Sequence, residues 1–161
     1  MGKLASTFQS YLRSQLSESH TPLDWKTEHR IAGTPVDVVG IGDETIILIE
    51  LEWRRADPAD NSAKLFRHID AGHIDQSRVI AIQIFTGYYN LASGGISSKR
   101  KNAEFIGHIA EDAIGTLTYC SVDFELEPPK RGNDWEEDWK TFARETISEI
   151  SERIPVSGSS S

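Results

Sequence analysis

The chain has 161 residues, a length that fits one domain. Hydrophobic residues make up 38% and charged residues 26%, with four Trp, four Tyr and six Phe, which supplies a packed core and excludes a fully disordered chain. A net charge of −8 argues against a uniformly basic nucleic-acid binder, and the single Cys120 excludes a disulfide scaffold or a zinc site built on paired cysteines.

The predicted elements follow in chain order. Leu4, Phe8, Leu12 and Leu16 recur every four residues with Tyr11 beside them, which predicts a helix over about 4–16. It should stop before Pro22, because proline disfavours helix in the residue ahead of it. Three short strands come next, at about 25–31, 35–41 and 45–52, separated by Ala32-Gly33-Thr34 and Gly42-Asp43-Glu44. Such β-branched runs between Gly/Asp turns read as an antiparallel meander. Asp57-Pro58-Ala59-Asp60 suits a helix start, with Asp57 as N-cap, Pro58 in the first position and Asp60 in the first turn. That helix should run to about Asp70, burying Ala59, Ala63, Phe66 and Ile69, with Asn61, Lys64 and His68 on another stripe.

The run 79–85 is apolar on both sides apart from Gln83, as expected of a central strand covered on both faces. Residues 93–101, rich in Gly and Ser and ending in Lys99-Arg100-Lys101, read as a flexible basic loop. A helix at about 103–113, a strand near 116–124 and a last helix at about 134–154 complete the chain. That helix is expected to bury Trp135, Trp139, Phe142, Ile147 and Ile150. The order α-β-β-β-α-β, then α-β-α, predicts a single domain over 1–156 with helices covering a central mixed sheet, and a disordered Ser/Gly tail over 157–161. No stretch approaches the roughly 18 apolar residues of a membrane-spanning helix, which points to a soluble, cytoplasmic protein without a membrane partner.

The informative pattern is acidic. Asp37 interrupts one apolar strand, and Glu50 and Glu52 end the next. Strand side chains alternate, so Glu50 and Glu52 share a face, about 6.6 Å apart at a rise of about 3.3 Å per residue. A neighbouring strand about 4.8 Å away brings Asp37 to the same place if it faces that side. Three carboxylates so close raise one another's pKa unless a cation compensates, and oxygen-rich sites suit Mg²⁺ or Mn²⁺. Such an ion can activate water and stabilise charge on a transferring phosphate, so phosphodiester hydrolysis is one chemistry open to the site. The plainer alternative is a solvated strand end at Glu50 and Glu52, with Asp37 paired to Arg30 or Arg54.

At these residues the chain resembles the PD-(D/E)xK nuclease superfamily, the restriction-endonuclease-like fold, over about residues 4–89. The α-β-β-β-α-β order matches that family's core. The first motif acid resembles Asp37 in Pro35-Val36-Asp37, and the (D/E)xK position falls on Glu50-Leu51-Glu52, where Glu52 replaces the lysine. A Glu-x-Glu variant occurs among restriction enzymes of the superfamily. The resemblance implies a metal-dependent nuclease, of restriction or defence type, acting on DNA, with Asp37, Glu50 and Glu52 on Mg²⁺ or Mn²⁺. Glu52 is then a metal ligand or a base, Lys64 a substitute for the missing lysine, and Glu28 similar in placement to an additional acid of some members. The lost lysine equally fits an inactive nuclease-like module that binds nucleic acid or a protein. RNA remains an alternative substrate.

Arg54, Arg55, Asn61, Lys64, Arg67 and His68 follow the acids closely and read either as phosphate contacts or as ordinary surface. The same two readings hold for Lys99, Arg100 and Lys101. Gln83 either orients a ligand near a metal or is hydrogen-bonded to backbone. The histidines form no persuasive zinc motif, and Cys120 is expected to be a small buried apolar residue. One small catalytic domain reaches one strand at a time, so cutting a duplex suggests a homodimer. The charge is uneven: residues 1–53 carry −4, residues 54–101 carry +4 and residues 102–161 carry −8. The acidic total therefore coexists with a basic segment directly after the proposed ligands.

Overall fold

The computed structural model describes residues 2–130 and 132–155, so the Ser/Gly tail lies outside the described residues. Helix α1 spans Lys3–Ser19, followed by strands β1 (Asp24–Ile31), β2 (Thr34–Ile41) and β3 (Thr45–Glu52). Helix α2 (Pro58–Asp70) leads to β4 (Arg78–Thr86), α3 (Ser98–Ala113), β5 (Leu117–Phe124) and α4 (Trp139–Arg153). The element order matches the sequence reading.

These elements make one α/β domain with a five-stranded mixed sheet in the order β1-β2-β3-β4-β5. The first two pairings are antiparallel and the last two parallel. The β1–β2 link is a two-residue hairpin turn in which Ala32 (φ 50°) and Gly33 (φ 82°) both take positive φ, as a type I′ turn requires. The switch to parallel pairing after β3 needs a crossover, and α2 supplies it.

Two cores flank the sheet. On one face α1 and α4 pack against Val38, Ile47, Ile49, Ile82 and Val122, with Phe8, Leu12, Leu16 and Ile150 fully buried. On the other, α2 and α3 pack Leu65, Phe66, Ile69 and Ala110 against Val39, Leu48, Ala81 and Tyr119. Strand β4 is buried along nearly its whole length, as its two-sided apolar pattern predicts. Cys120 is buried and free, and burial pushes its thiol up to about 11. Among the described residues, no helix is long and apolar enough to cross a membrane.

Three expectations change. Lys99, Arg100 and Lys101 lie in the first turn of α3, because Ser97 caps that helix by accepting a hydrogen bond from the Arg100 backbone N–H; they are not a loop. Helix α4 starts at Trp139, so Trp135 precedes it, and Trp135, Trp139 and Phe142 are only partly buried at the rim of the core. Ala63 is exposed, and its predicted place in the core goes to Ser62 and Leu65.

Candidate active site

Asp37, Glu50, Glu52 and Gln83 meet at the carboxyl-terminal end of β3, on the face covered by α2 and α3, where open α/β sheets commonly bind ligands. The pairing of β2 with β3 runs from Ile41↔Ile46 to Val38↔Ile49, and the next step of that register sets Asp37 opposite Glu50. Ladder pairing stops there. Instead, the Leu51 backbone N–H donates to Asp37 Oδ2 at 2.7 Å. The side chain of Asp37 thus replaces a backbone acceptor and is locked toward β3.

All three carboxylates are buried, at 5%, 5% and 0% exposure for Asp37, Glu50 and Glu52. Burial pushes the Asp37 carboxyl above its usual range, and the Leu51 N–H only partly offsets this. Glu50 is pushed up much further, by burial first and then by the charges of Asp37 and Glu52. Asp37 and Glu50 lie within hydrogen-bond reach of each other, so the two carboxyls titrate as a pair. Burial also raises Glu52, against hydrogen bonds from Asn61 and Gln83.

The amides fix the orientation of Glu52. Asn61 Nδ2 donates to Glu52 Oε1 at 2.9 Å and approaches Glu50 Oε2 at 3.5 Å. Gln83 Nε2 donates to Glu52 Oε1 at 3.1 Å and to Ser62 Oγ at 2.6 Å, while the Tyr119 hydroxyl donates to Gln83 Oε1 at 2.5 Å. Gln83 is therefore held by side chains, and the expected backbone partner is not used. Arg55 Nε lies 3.3 Å from Glu52 Oε2 without hydrogen-bond alignment, so that buried oxygen has no hydrogen-bond partner. A buried carboxylate oxygen without a hydrogen bond costs free energy, which the Arg55 charge offsets in part and a ligand would offset further.

Glu28 stands beside this group on β1, with φ 52°, a left-handed conformation that costs a non-glycine residue about 1–3 kcal/mol. Its exposed carboxylate accepts a hydrogen bond from Gln9 Nε2 at 3.1 Å, and the same amide donates to the Asp37 carbonyl at 2.7 Å. Its charge contributes to the raised pKa of Asp37.

The expected set of three or four acidic ligands does not close around one point. Among the described residues, no three His, Cys, Asp or Glu side chains are arranged to hold a metal ion. The reason is that Asn61 and Gln83 draw Glu52 Oε1 toward α2 and β4, while Glu28 is engaged with Gln9. What remains is the Asp37–Glu50 pair. Two carboxylates completed by water and phosphate oxygens are a usual magnesium donor set, so the residues fit such an ion. The solvated strand end fails on burial. Neither proposed partner of Asp37 reaches it, since Arg30 Nη1 donates to the Gly33 carbonyl at 2.7 Å and Arg54 Nη2 donates to the Pro128 carbonyl.

The basic residues divide. Arg54 is exposed, with its guanidinium 5.5 Å from the centre of the Tyr88 ring, and Lys99 Nζ is 5.8 Å from the same ring. Arg55 is exposed beside Glu52, and its backbone N–H donates to the Tyr89 hydroxyl at 2.8 Å. Lys64 is exposed, shows no side-chain hydrogen bond or ion pair among the described residues, and is not tied to the carboxylates. Lys101 is exposed on α3. Arg100 is instead buried at 6% exposure, ion-paired to Asp123 and Glu104 and stacked 4.8 Å over Phe85. It braces α3 against β5 and has no free face for a phosphate.

Three residues of this arrangement escaped the sequence reading. Gln9 and Ser62 are polar residues on otherwise apolar helix stripes, which is a readable signal. Tyr119 shows none, because a buried Tyr in a strand reads as core.

No protein family's sequence pattern matches the chain, and no curated protein does. Solved structures similar to it include a repair endonuclease from Pyrococcus abyssi, at 19% identity and a TM-score of 0.38, covering 74% of this chain and 47% of that one. An EndoMS–double-stranded DNA complex matches at 20% identity and a TM-score of 0.39, covering 81% and 48%. Pyrococcus furiosus SfsA, solved with Ca²⁺, matches at 12% identity and a TM-score of 0.39, covering 77% and 58%. The chain spans about half the length of the structures it matches. Likeness at this level carries nothing about the chemistry of the site.

Proposed function

We propose that the protein is a divalent-cation-dependent nuclease that hydrolyses phosphodiester bonds in DNA. The observation that carries this reading is the buried pair Asp37 and Glu50, which has no ion-pair partner among the described residues and lies beside a third buried carboxylate, Glu52, with one oxygen free of hydrogen bonds. Asp37 and Glu50 hold the cation, Mg²⁺ or Mn²⁺, which supplies charge neutralisation for the phosphate and an activated water. Glu52 stands where the resemblance places a lysine. Burial raises its pKa, which makes it a stronger proton acceptor than an ordinary carboxylate. Asn61 and Gln83 hold one oxygen of Glu52, and the other faces the Arg55 guanidinium without a hydrogen bond. Lys64 and Lys99 are exposed and available to phosphates, and the cluster of Arg54 and Lys99 around Tyr88 offers charge and an aromatic face together.

The test is cleavage of plasmid, linear duplex and single-stranded DNA, and of RNA, with Mg²⁺ or Mn²⁺. Cleavage should require the ion and disappear in Asp37→Ala and in Glu50→Ala. Cleavage that persists in both variants refutes the assignment. A second reading, a module that binds nucleic acid without cutting it, is favoured by Glu52 in the lysine position and by Lys64 standing free of the carboxylates. Cation and DNA binding without cleavage of any of these substrates would select it.

A further inference from the structure

Helix α3 buries Arg100, Ala103, Gly107 and Ala110 against the protein and leaves the opposite stripe in water. On that stripe Phe105 is 66% and Ile109 is 52% exposed, among the largest apolar exposures of the described residues. Side chains four apart on a helix form one continuous patch. Lys101 stands one turn before Phe105, Asp112 stands one turn after Ile109, and both are exposed. Neither has a side-chain ion-pair partner among the described residues.

The order along the stripe is therefore positive, apolar, apolar, negative. The apolar pair is centred on residue 107 and the charged pair between 106 and 107. A two-fold axis through that point runs a second α3 antiparallel to the first. It sets Phe105 on Ile109 of the other copy and Lys101 near Asp112 of the other copy, at both ends at once. The charged residues are about 16 Å apart along the helix at a rise of about 1.5 Å per residue, so the two ion pairs flank the apolar centre without crowding it. A patch that complements itself under a two-fold is what an isologous dimer requires. We infer that the outer stripe of α3 is a two-fold interface between two copies of this chain. The inference does not rest on the nuclease reading. One helix pair is a small contact next to the roughly 800 Å² per partner of a standard interface, which places the dimer among weak, concentration-dependent associations.

Sedimentation velocity from low to high micromolar protein tests this. The full chain should shift from monomer to dimer. Phe105→Glu should stay monomeric, with an unchanged circular-dichroism melt because the side chain is exposed. Lys101→Glu and Asp112→Lys should each weaken dimerisation at least tenfold. Their equimolar mixture should recover it, since only the mixed dimer pairs opposite charges at both ends. A wild-type monomer throughout, a dimer that survives Phe105→Glu, or a mixture that associates no better than its components overturns the proposal. Loss of cleavage in Glu50→Ala should leave dimerisation intact, which separates the two readings.

Discussion

The two faces of the sheet use the same strands and solve opposite problems. The face under α1 and α4 is apolar to its edge: Phe8 packs 4.5 Å from Phe124, and Trp53 meets Trp135 at 5.0 Å between ring centres. The face under α2 and α3 starts the same way, with Val39, Ile46, Leu48 and Ala81, then changes to Asp37, Glu50, Glu52 and Gln83. Because strand side chains alternate, β3 carries Ile47, Ile49 and Leu51 to one core and Glu50 and Glu52 to the other. One face supplies stability. The other gives some of it up to hold carboxylates away from water.

Substitutions on the two faces should therefore separate folding from chemistry. The largest effect on stability is expected from Phe8→Ala, which removes a fully buried ring and should cost about 3–5 kcal/mol in chemical denaturation while leaving cation affinity per folded molecule unchanged. Asp37→Ala or Glu50→Ala should do the reverse, lowering cleavage at least about 100-fold, or about 3 kcal/mol, with the fold retained. A Phe8→Ala protein that folds normally but loses the cation would break the division.

The pH dependence sharpens the same contrast. The folded-state pKa values of Asp37, Glu50 and Glu52 lie above their unfolded values. The cluster's contribution to stability is thus fully present below the ordinary carboxylate range and is lost as pH rises through the raised values. Each pH unit of that interval is worth about 1.4 kcal/mol per group. His20, whose pKa burial lowers, works in the opposite direction. The difference between wild type and Glu50→Gln isolates the cluster: without cation, Glu50→Gln should melt higher than wild type at about pH 8, and the gap should narrow toward about pH 5. Thermal melts across that range give the sign directly.

The smallest effect concerns orientation. Tyr119→Phe removes the hydroxyl that fixes Gln83, at a cost of about 1 kcal/mol, and should shift the acidic limb of the cleavage–pH profile, which Glu52 sets as the base. A rate loss with an unmoved profile would make Tyr119 merely structural. Gly107 supports the same ring, since a Cβ there would lie 2.3 Å from Tyr119, so Gly107→Ala should perturb Gln83 as well.

Much of this was legible in the chain because it depends on period and spacing. The two-residue repeat of β3 placed Glu50 and Glu52 on one face, and Asp57-Pro58 marked the start of α2. Which way the carboxylates turn was not legible. It depends on Asn61, Gln83 and Tyr119, which come from three elements brought together only by the parallel pairing of β3, β4 and β5. Lys99–Lys101 misled for a local reason: Gly94 and Gly95 do form a turn, but Ser97 caps the helix immediately after it. Arg100 misled for a tertiary one, because its partner Asp123 lies on β5.

The central claim is that Asp37 and Glu50 form a divalent-cation site, and calorimetric titration of Mn²⁺ tests it most directly. Repeating the titration in two buffers of different ionisation enthalpy counts protons. The account predicts one saturable binding event that releases protons, strengthens as pH rises and vanishes in Glu50→Gln. Absence of binding, or binding that Glu50→Gln leaves unchanged, would contradict it.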